Sequence, residues 1–261
     1  MLIGEIIRGL LAGVIAGLAS GFLGVSPGGI LVPVISLLLP FSQHVAQGLS
    51  LIVQAPPTSA SGLAAYSRKR QWPAFVPIML ISGGFIIGGP IGALIAKVCS
   101  ERELRWMYVG YLLILTALSA LKSSRRRVSA SGPEHVKPCL YVVLVCIGII
   151  AGISSGLLGI GGGLAITALC VVLLHRDRHE ANALSLAITA MPLTLPAAWV
   201  YVRHGWHLPW EIIGCLVVGL ALGAWTGAVF ANRLTERTLK AAFTTLLIAM
   251  TVYMTVIASR T

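Results

Sequence analysis

The sequence predicts an all-α polytopic membrane protein built from two homologous, inverted repeats, with broken or re-entrant helices after glycine-rich breaks. Three observations carry that prediction: intense apolarity, an internal duplication, and an uneven placement of basic residues. Of 261 residues, 57% are hydrophobic and only 10% charged, and the mean hydropathy is +0.91, whereas a soluble domain carries roughly 25% charged residues. Such a chain leaves little polypeptide outside the bilayer.

The duplication is read directly. Residues 13–24, GVIAGLASGFLG, return as GIIAGISSGLLG at 148–159, a displacement of 135. The same displacement carries AQGLSL (46–51) onto ANALSL (181–186) and SERELR (100–105) onto TERTLK (235–240). The chain is therefore expected to comprise a first transmembrane repeat (1–121), a basic cytoplasmic linker (122–138) and a second transmembrane repeat (139–261). The apolar stretch at 1–20 could pass for a signal peptide, but it aligns with 136–155 and so reads as part of the first repeat.

A helix needs about 20 mainly apolar residues to cross the hydrocarbon core. Segments near 46–66, 74–96 and 104–121, and near 181–201, 209–231 and 239–257, meet that length as single full spans. The opening of each repeat differs. An apolar helix runs into GFLGVSPGG (21–29) or GLLGIGGG (156–163), and a short apolar piece of 30–40 or 164–174 follows that cannot cross alone. A broken or re-entrant element is expected at both places.

Basic residues orient the repeats. If the opening element returns to its own side, each repeat makes an odd number of net crossings and the two are inverted. Arg68, Lys69, Arg70, the linker bases Lys122, Arg125, Arg126, Arg127 and Lys137, and Arg176, Arg178, Arg233, Arg237 and Lys240 then share the cytoplasmic side. That is 13 of the 19 Lys and Arg, against a split of 10 to 9 for parallel repeats. The positive-inside rule selects inversion. The same reasoning assigns the net charge of +11 to lipid headgroups and topology, so no nucleic-acid partner is expected.

Gly84, Gly88 and Gly92 lie four apart on one helical face, and Gly219, Gly223 and Gly227 repeat them. Small residues at that spacing let helix backbones approach closely in lipid.

The candidate site residues begin with the breaks: Ser26, Pro27, Gly28 and Gly29 in one repeat, Gly161, Gly162 and Gly163 in the other. Unwound backbone inside a bilayer must be buried in protein or line a polar cavity. Short helices starting there carry free N–H groups and a positive dipole end, so two of them aimed at the midplane can hold an anion without lysine or arginine. Tight packing is the alternative use of the glycines. On the next helix Gln47, Ser50 and Gln54 correspond to Asn182, Ser185 and Thr189, each trio along one face, as expected for a polar cavity or for interhelical hydrogen bonds. Thr58, Ser59 and Thr194 continue that polarity past Pro57 and Pro192, which should kink the helix and free a carbonyl. His44 and His179 are a matched pair just before these helices, suited to capping or, alternatively, to gating or protonation.

Absent chemistry narrows the class. The acids are Glu5, Glu101, Glu103, Glu134, Asp177, Glu180, Glu211 and Glu236, all near segment ends or in loops. No candidate remains for a midplane carboxylate cation site. No P-loop, GxSxG elbow or HExxH helix occurs, and the five cysteines have no metal-ligand spacing, so neither an enzyme nor a metal or other cofactor is expected.

The doubled pattern resembles the TauE/SafE family of membrane permeases, named for sulfite and sulfoacetate export. The resemblance rests on GLASGFLGVSPGGILVP (17–33) with GISSGLLGIGGG (152–163), on HVAQGLSL (44–51) with HEANALSL (179–186), and on AAYSRKRQW (64–72) with WVYVRHGWH (199–207). It covers essentially the whole chain. It implies about eight spans and movement of small sulfur-containing or carbon-based anions such as sulfite, sulfonates or sulfoacetate. Two departures stand out: SPGG replaces a run of glycines in the first break, and Ala168 stands where the first repeat has Pro33. Half-sites of unequal shape are expected. The expected function is a secondary transporter that exports a small anion across the bacterial inner membrane by alternating access. A passive anion channel and a non-transporting membrane assembly subunit are the alternatives. The expected partners are the anion and the lipid bilayer.

Overall fold

The computed structural model describes residues 2–23, 26–56, 75–120, 138–174, 178–203, 208–231 and 236–260, and among these all regular structure is helical. The first half carries α1 (Leu2–Leu23), α2 (Gly28–Leu38), α3 (Gln43–Val53), α4 (Phe75–Val98) and α5 (Glu101–Ala120). The second carries α6 (Pro138–Leu158), α7 (Gly163–Leu173), α8 (Arg178–Thr189), α9 (Leu195–Arg203), α10 (Trp210–Ala231) and α11 (Glu236–Arg260). Among the described residues four stretches are long and apolar enough to cross a membrane: Gly4–Phe22, Phe75–Val98, Leu140–Leu158 and Trp210–Gly227. Their outer faces keep large apolar side chains exposed, among them Ile7 and Leu11 on α1, Ile87 and Leu94 on α4 and Leu222 on α10, as lipid contact requires.

Glycines decide how these four helices pair. A Cβ added to Gly13, Gly17 or Gly21 of α1 would run into the backbone of Leu216, Leu220 or Ala224 of α10. Gly219, Gly223 and Gly227 in turn meet the carbonyls of Leu10, Val14 and Leu18. Residue numbers rise together along both helices, so α1 and α10 run in the same direction. Helices α4 and α6 form the matching interface. There Gly84, Gly88 and Gly92 face the carbonyls of Val145, Ile149 and Ile153, while Gly148, Gly152 and Gly156 face those of Ile81, Phe85 and Gly89. Each contact of one interface is a contact of the other displaced by 135 residues. The sequence expectation of packing glycines on α4 and α10 holds, and α1 and α6 supply glycines of their own to face them.

The breaks lie where expected. Helix α1 gives way to the short α2, and α6 to the short α7; α2 and α7 begin at Gly28 and Gly163. One expected span is corrected. Residues 181–201 do not form a continuous helix: α8 ends at Thr189, a turn spans Ala190 to Thr194, and α9 begins at Leu195. Pro192 lacks the N–H that would continue the ladder, so the chain breaks there rather than kinking. In the first half α3 stops at Val53 with Gln54 as its C-cap. The remainder of the 46–66 segment, including Thr58, Ser59, Arg68, Lys69 and Arg70, lies outside the described residues, as does the linker apart from Pro138.

The expected spans at 104–121 and 239–257 fall on α5 and α11, which pack against each other. Helix α5 starts with a capping box. Ser100 Oγ accepts from the Glu103 N–H at 3.3 Å and the Glu103 carboxylate accepts from the Ser100 N–H at 2.7 Å.

Adjacent glycines on α4 separate packing from helix propensity. Gly83 has open space where its Cβ would be, whereas a Cβ at Gly84 collides with the Val145 carbonyl of α6. Gly83→Ala should stabilise the detergent-solubilised protein by about 0.5–1 kcal/mol through helix propensity. Gly84→Ala should destabilise it by about 1–3 kcal/mol through overpacking. Melting curves of the two variants check this.

Candidate functional site

The two breaks pack directly on one another. A Cβ at Gly28 would collide with the Ile160 carbonyl, one at Gly161 with the Gln54 amide, and one at Gly163 would come within 2.7 Å of Ser26 Cβ. Only glycine permits this approach. The second break also needs it for backbone reasons, since Gly161 and Gly162 have φ of 78° and 73°. The capping residues of the two short helices differ: Pro27 before α2 has φ −66°, whereas Gly162 before α7 is left-handed. The half-sites are therefore unequal in shape, as the departure SPGG led one to expect. Neither short helix has a side-chain cap, so no hydroxyl or carboxylate of the capping residue takes up the first-turn N–H groups.

The carbonyls of the breaks are held instead. Ser50 Oγ donates to Gly159 O at 2.7 Å, and Ser185 Oγ donates to Gly163 O at 2.7 Å. Gln54 Nε2 reaches Ser50 O and Ser50 Oγ, both at 2.8 Å, and Gly159 O at 3.3 Å. Tyr108 on α5, fully buried, donates to Gly29 O at 3.0 Å. Tyr201 on α9, also fully buried, lies 2.9 Å from Gly156 O and 3.1 Å from Gln47 Oε1. Irregular backbone at membrane depth survives only with such partners. The two tyrosines were not among the residues singled out from the sequence. A signal existed for one of them, because Tyr66 and Tyr201 match at the displacement of 135.

A small cavity opens beside the breaks. It is lined by Ser26, Pro27, Gln54, Gly161 and Thr189 of the expected residues, by Thr194, which the sequence reading placed on the polar stretch past Pro192, and by Phe85, Ile188, Met191 and Leu193, which sequence reasoning did not assign to the site. It has room for about one water molecule in this conformation. Ser26 Oγ makes one long bond, 3.3 Å, to Gln54 Oε1, which leaves it the most weakly committed of the expected hydroxyls. Thr189 Oγ1 donates back to Ser185 O at 2.9 Å. The Phe85 ring rests on Gly162, in space that any side chain there would occupy. No lining residue carries a formal charge.

The remaining expected residues lie apart from the cavity. Gln47 is fully buried and faces Tyr201. Gly28, Gly29 and Gly163 sit in the interface between the breaks. His44, in the first turn of α3, places Nε2 3.0 Å from Ala96 O, one of the last carbonyls of α4. It thereby ties the start of one helix to the end of another; it does not cap its own helix, whose N-cap is Ser42. His179 and Asn182 belong to α8, and their side chains lie outside the described residues. Among the described residues no cluster of His, Cys, Asp or Glu could hold a metal ion.

The sequence model of the family described as sulfite exporter TauE/SafE matches residues 9–254. The chain is 32% identical over 228 residues to the probable membrane transporter protein YdhB of Bacillus subtilis strain 168, covering 87% of this chain and 90% of that one. It is 25% identical over 250 residues to a probable membrane transporter protein of Xylella fastidiosa strain Temecula1, covering 93% and 92% of the two chains. No solved structure matches it significantly. With the family model spanning nearly its whole length, over an all-helical fold with four membrane-length apolar stretches, this chain belongs to the TauE/SafE family of membrane transporters.

Proposed function

We propose that the protein is a secondary transporter that exports sulfite or a small organosulfonate such as sulfoacetate across the bacterial inner membrane, by alternating access around the two glycine-rich breaks. The observation that carries this reading is the meeting of two uncapped helix N-termini, α2 and α7, beside an uncharged polar cavity. Helix N-termini favour anions through their free N–H groups and dipoles. A cavity without a cation holds an anion weakly enough to release it. Room for only about one water suits a closed conformation, which must widen to admit a four-atom oxyanion.

The two halves, 1–121 and 139–261, act in this reading as inverted repeats around the site, with the linker 122–138 in the cytoplasm. Support comes from the exchange of partners between halves, since α1 pairs with α10 and α4 with α6 through glycine contacts displaced by 135 residues. Arg105 near the start of α5 also lies within electrostatic range of Tyr253 near the end of α11, as expected if these equivalent helices run antiparallel.

The structure bears on which serines to test. Gly28→Val, a natural way to block the site, would collide with the Ile160 carbonyl and damage the fold as well. Ser26→Ala is cleaner, because it gives up only the 3.3 Å bond to Gln54. It should weaken binding of sulfite or sulfoacetate roughly 10- to 150-fold, the equivalent of losing about 1.5–3 kcal/mol from one hydrogen bond to a charged group. Its melting temperature without anion should stay near that of the wild type. Ser50→Ala and Ser185→Ala each remove the 2.7 Å side-chain bond to the Gly159 or Gly163 carbonyl and should cost about 1–3 kcal/mol of stability even without anion. Thermal-shift titrations with sulfite, sulfate, thiosulfate, sulfoacetate and taurine read both effects.

Transport itself is tested in liposomes. A carrier shows counterflow, in which unlabelled anion on one side drives labelled anion against its gradient; flux without counterflow would indicate a channel. Orientation is tested by Ser129→Cys and Ser259→Cys. The inverted arrangement requires these two positions to be labelled from opposite sides of a sealed membrane.

A further inference from the structure

The turn between α8 and α9 brings a third helix terminus to the cavity. Thr194 immediately precedes α9, and its carbonyl accepts from the Ala198 N–H at 2.9 Å, which makes it the N-cap. An N-cap threonine ordinarily turns its hydroxyl onto the N–H of the second or third helical residue. Here the second residue is Pro196, which has no N–H. Thr194 Oγ1 makes no hydrogen bond in the structure, although the residue is 6% exposed and lines the cavity. A buried hydroxyl without a partner is destabilising, and valine would fill the same volume without that cost.

The other cavity hydroxyls are engaged. Thr189 is bonded to the carbonyl of Ser185, and Ser26 to the amide of Gln54. Thr194 differs from both in having its donor uncommitted. It also stands on the second half of the chain at the broken segment 190–194, apart from the glycine breaks.

We propose that the Thr194 hydroxyl is a direct contact to the bound anion, donating to one of its oxygens from the N-terminus of α9. This rests on the reading of the cavity as an anion site and adds a third point of attachment to it. Ser59 is the position equivalent to Thr194 at the displacement of 135, outside the described residues.

The test uses the full-length protein in detergent, with sulfite and sulfoacetate as probes and anion-dependent melting as readout. Thr194→Val should weaken apparent affinity about tenfold or more, the scale of one lost hydrogen bond to a charge. Thr194→Ser, which keeps the hydroxyl, should stay within about threefold of the wild type on the same scale, where tenfold is one unit of log affinity. Without anion, Thr194→Val should melt at or above the wild-type temperature, whereas a merely structural hydroxyl would lower it. If valine disturbs the turn, Thr194→Ala removes the hydroxyl without β-branching and is read the same way. Wild-type binding retained within about twofold in both Thr194→Val and Thr194→Ala, while Ser26→Ala loses it, would overturn the proposal and leave the cavity reading intact. Absence of anion-dependent stabilisation in the wild type itself would overturn both.

Discussion

Close approach of helix backbones in lipid is the constraint on which the rest of this structure depends. Between helices in a bilayer there is no hydrophobic driving force, so association rests on packing and on polar contacts. The faces of α1 and α10, and of α4 and α6, meet this with glycine opposite backbone carbonyl along three successive turns. These pairs join one half of the chain to the other. The two breaks meet just beyond the ends of α1 and α6.

At that meeting point the fold solves a second problem of the bilayer, the unwound backbone. Carbonyls in and beside the breaks accept from Ser50, Ser185, Gln54, Tyr108 and Tyr201, which come from four different helices. The acceptor side of the backbone is thus largely occupied by side-chain donors. Uncapped N-termini of α2 and α7 supply the donor side. In the reading proposed above, the positive dipole ends would hold an anion there without any charged residue.

The two halves use related sequences for unequal purposes. Pro27 and Gly162 are equivalent at the displacement of 135, yet only glycine can take the left-handed conformation seen before α7. Phe85 is likewise equivalent to Leu220; the ring lines the cavity and covers Gly162, whereas Leu220 is buried in a hydrophobic cluster with α1. A cavity on the α8–α9 side of the breaks is the consequence.

How much of this was legible in the sequence follows from the range of each interaction. Composition and the doubled GVIAGLASGFLG pattern determined the membrane class, the helical architecture and the positions of both breaks, because these rest on local apolarity and on glycine where a helix must stop. Gly84, Gly88 and Gly92 announced a packing face by spacing alone. Their partners did not appear in the sequence, since nothing local says that α4 lies along α6. The same limit governs the site. Ser26, Gln54 and Gly161 were found because they belong to the breaks or to a polar stripe, and Thr194 because it continues that stripe, but Phe85 reaches the cavity only through helix packing. Ser50 and Ser185, read from the sequence as part of a polar stripe, also received their partners from tertiary structure. Which carbonyl a hydroxyl meets depends on the approach of a helix more than 100 residues away for Ser50, and 22 residues away for Ser185. The sequence alone determined what kinds of groups were present, and only the fold decided which of them were left free to bind.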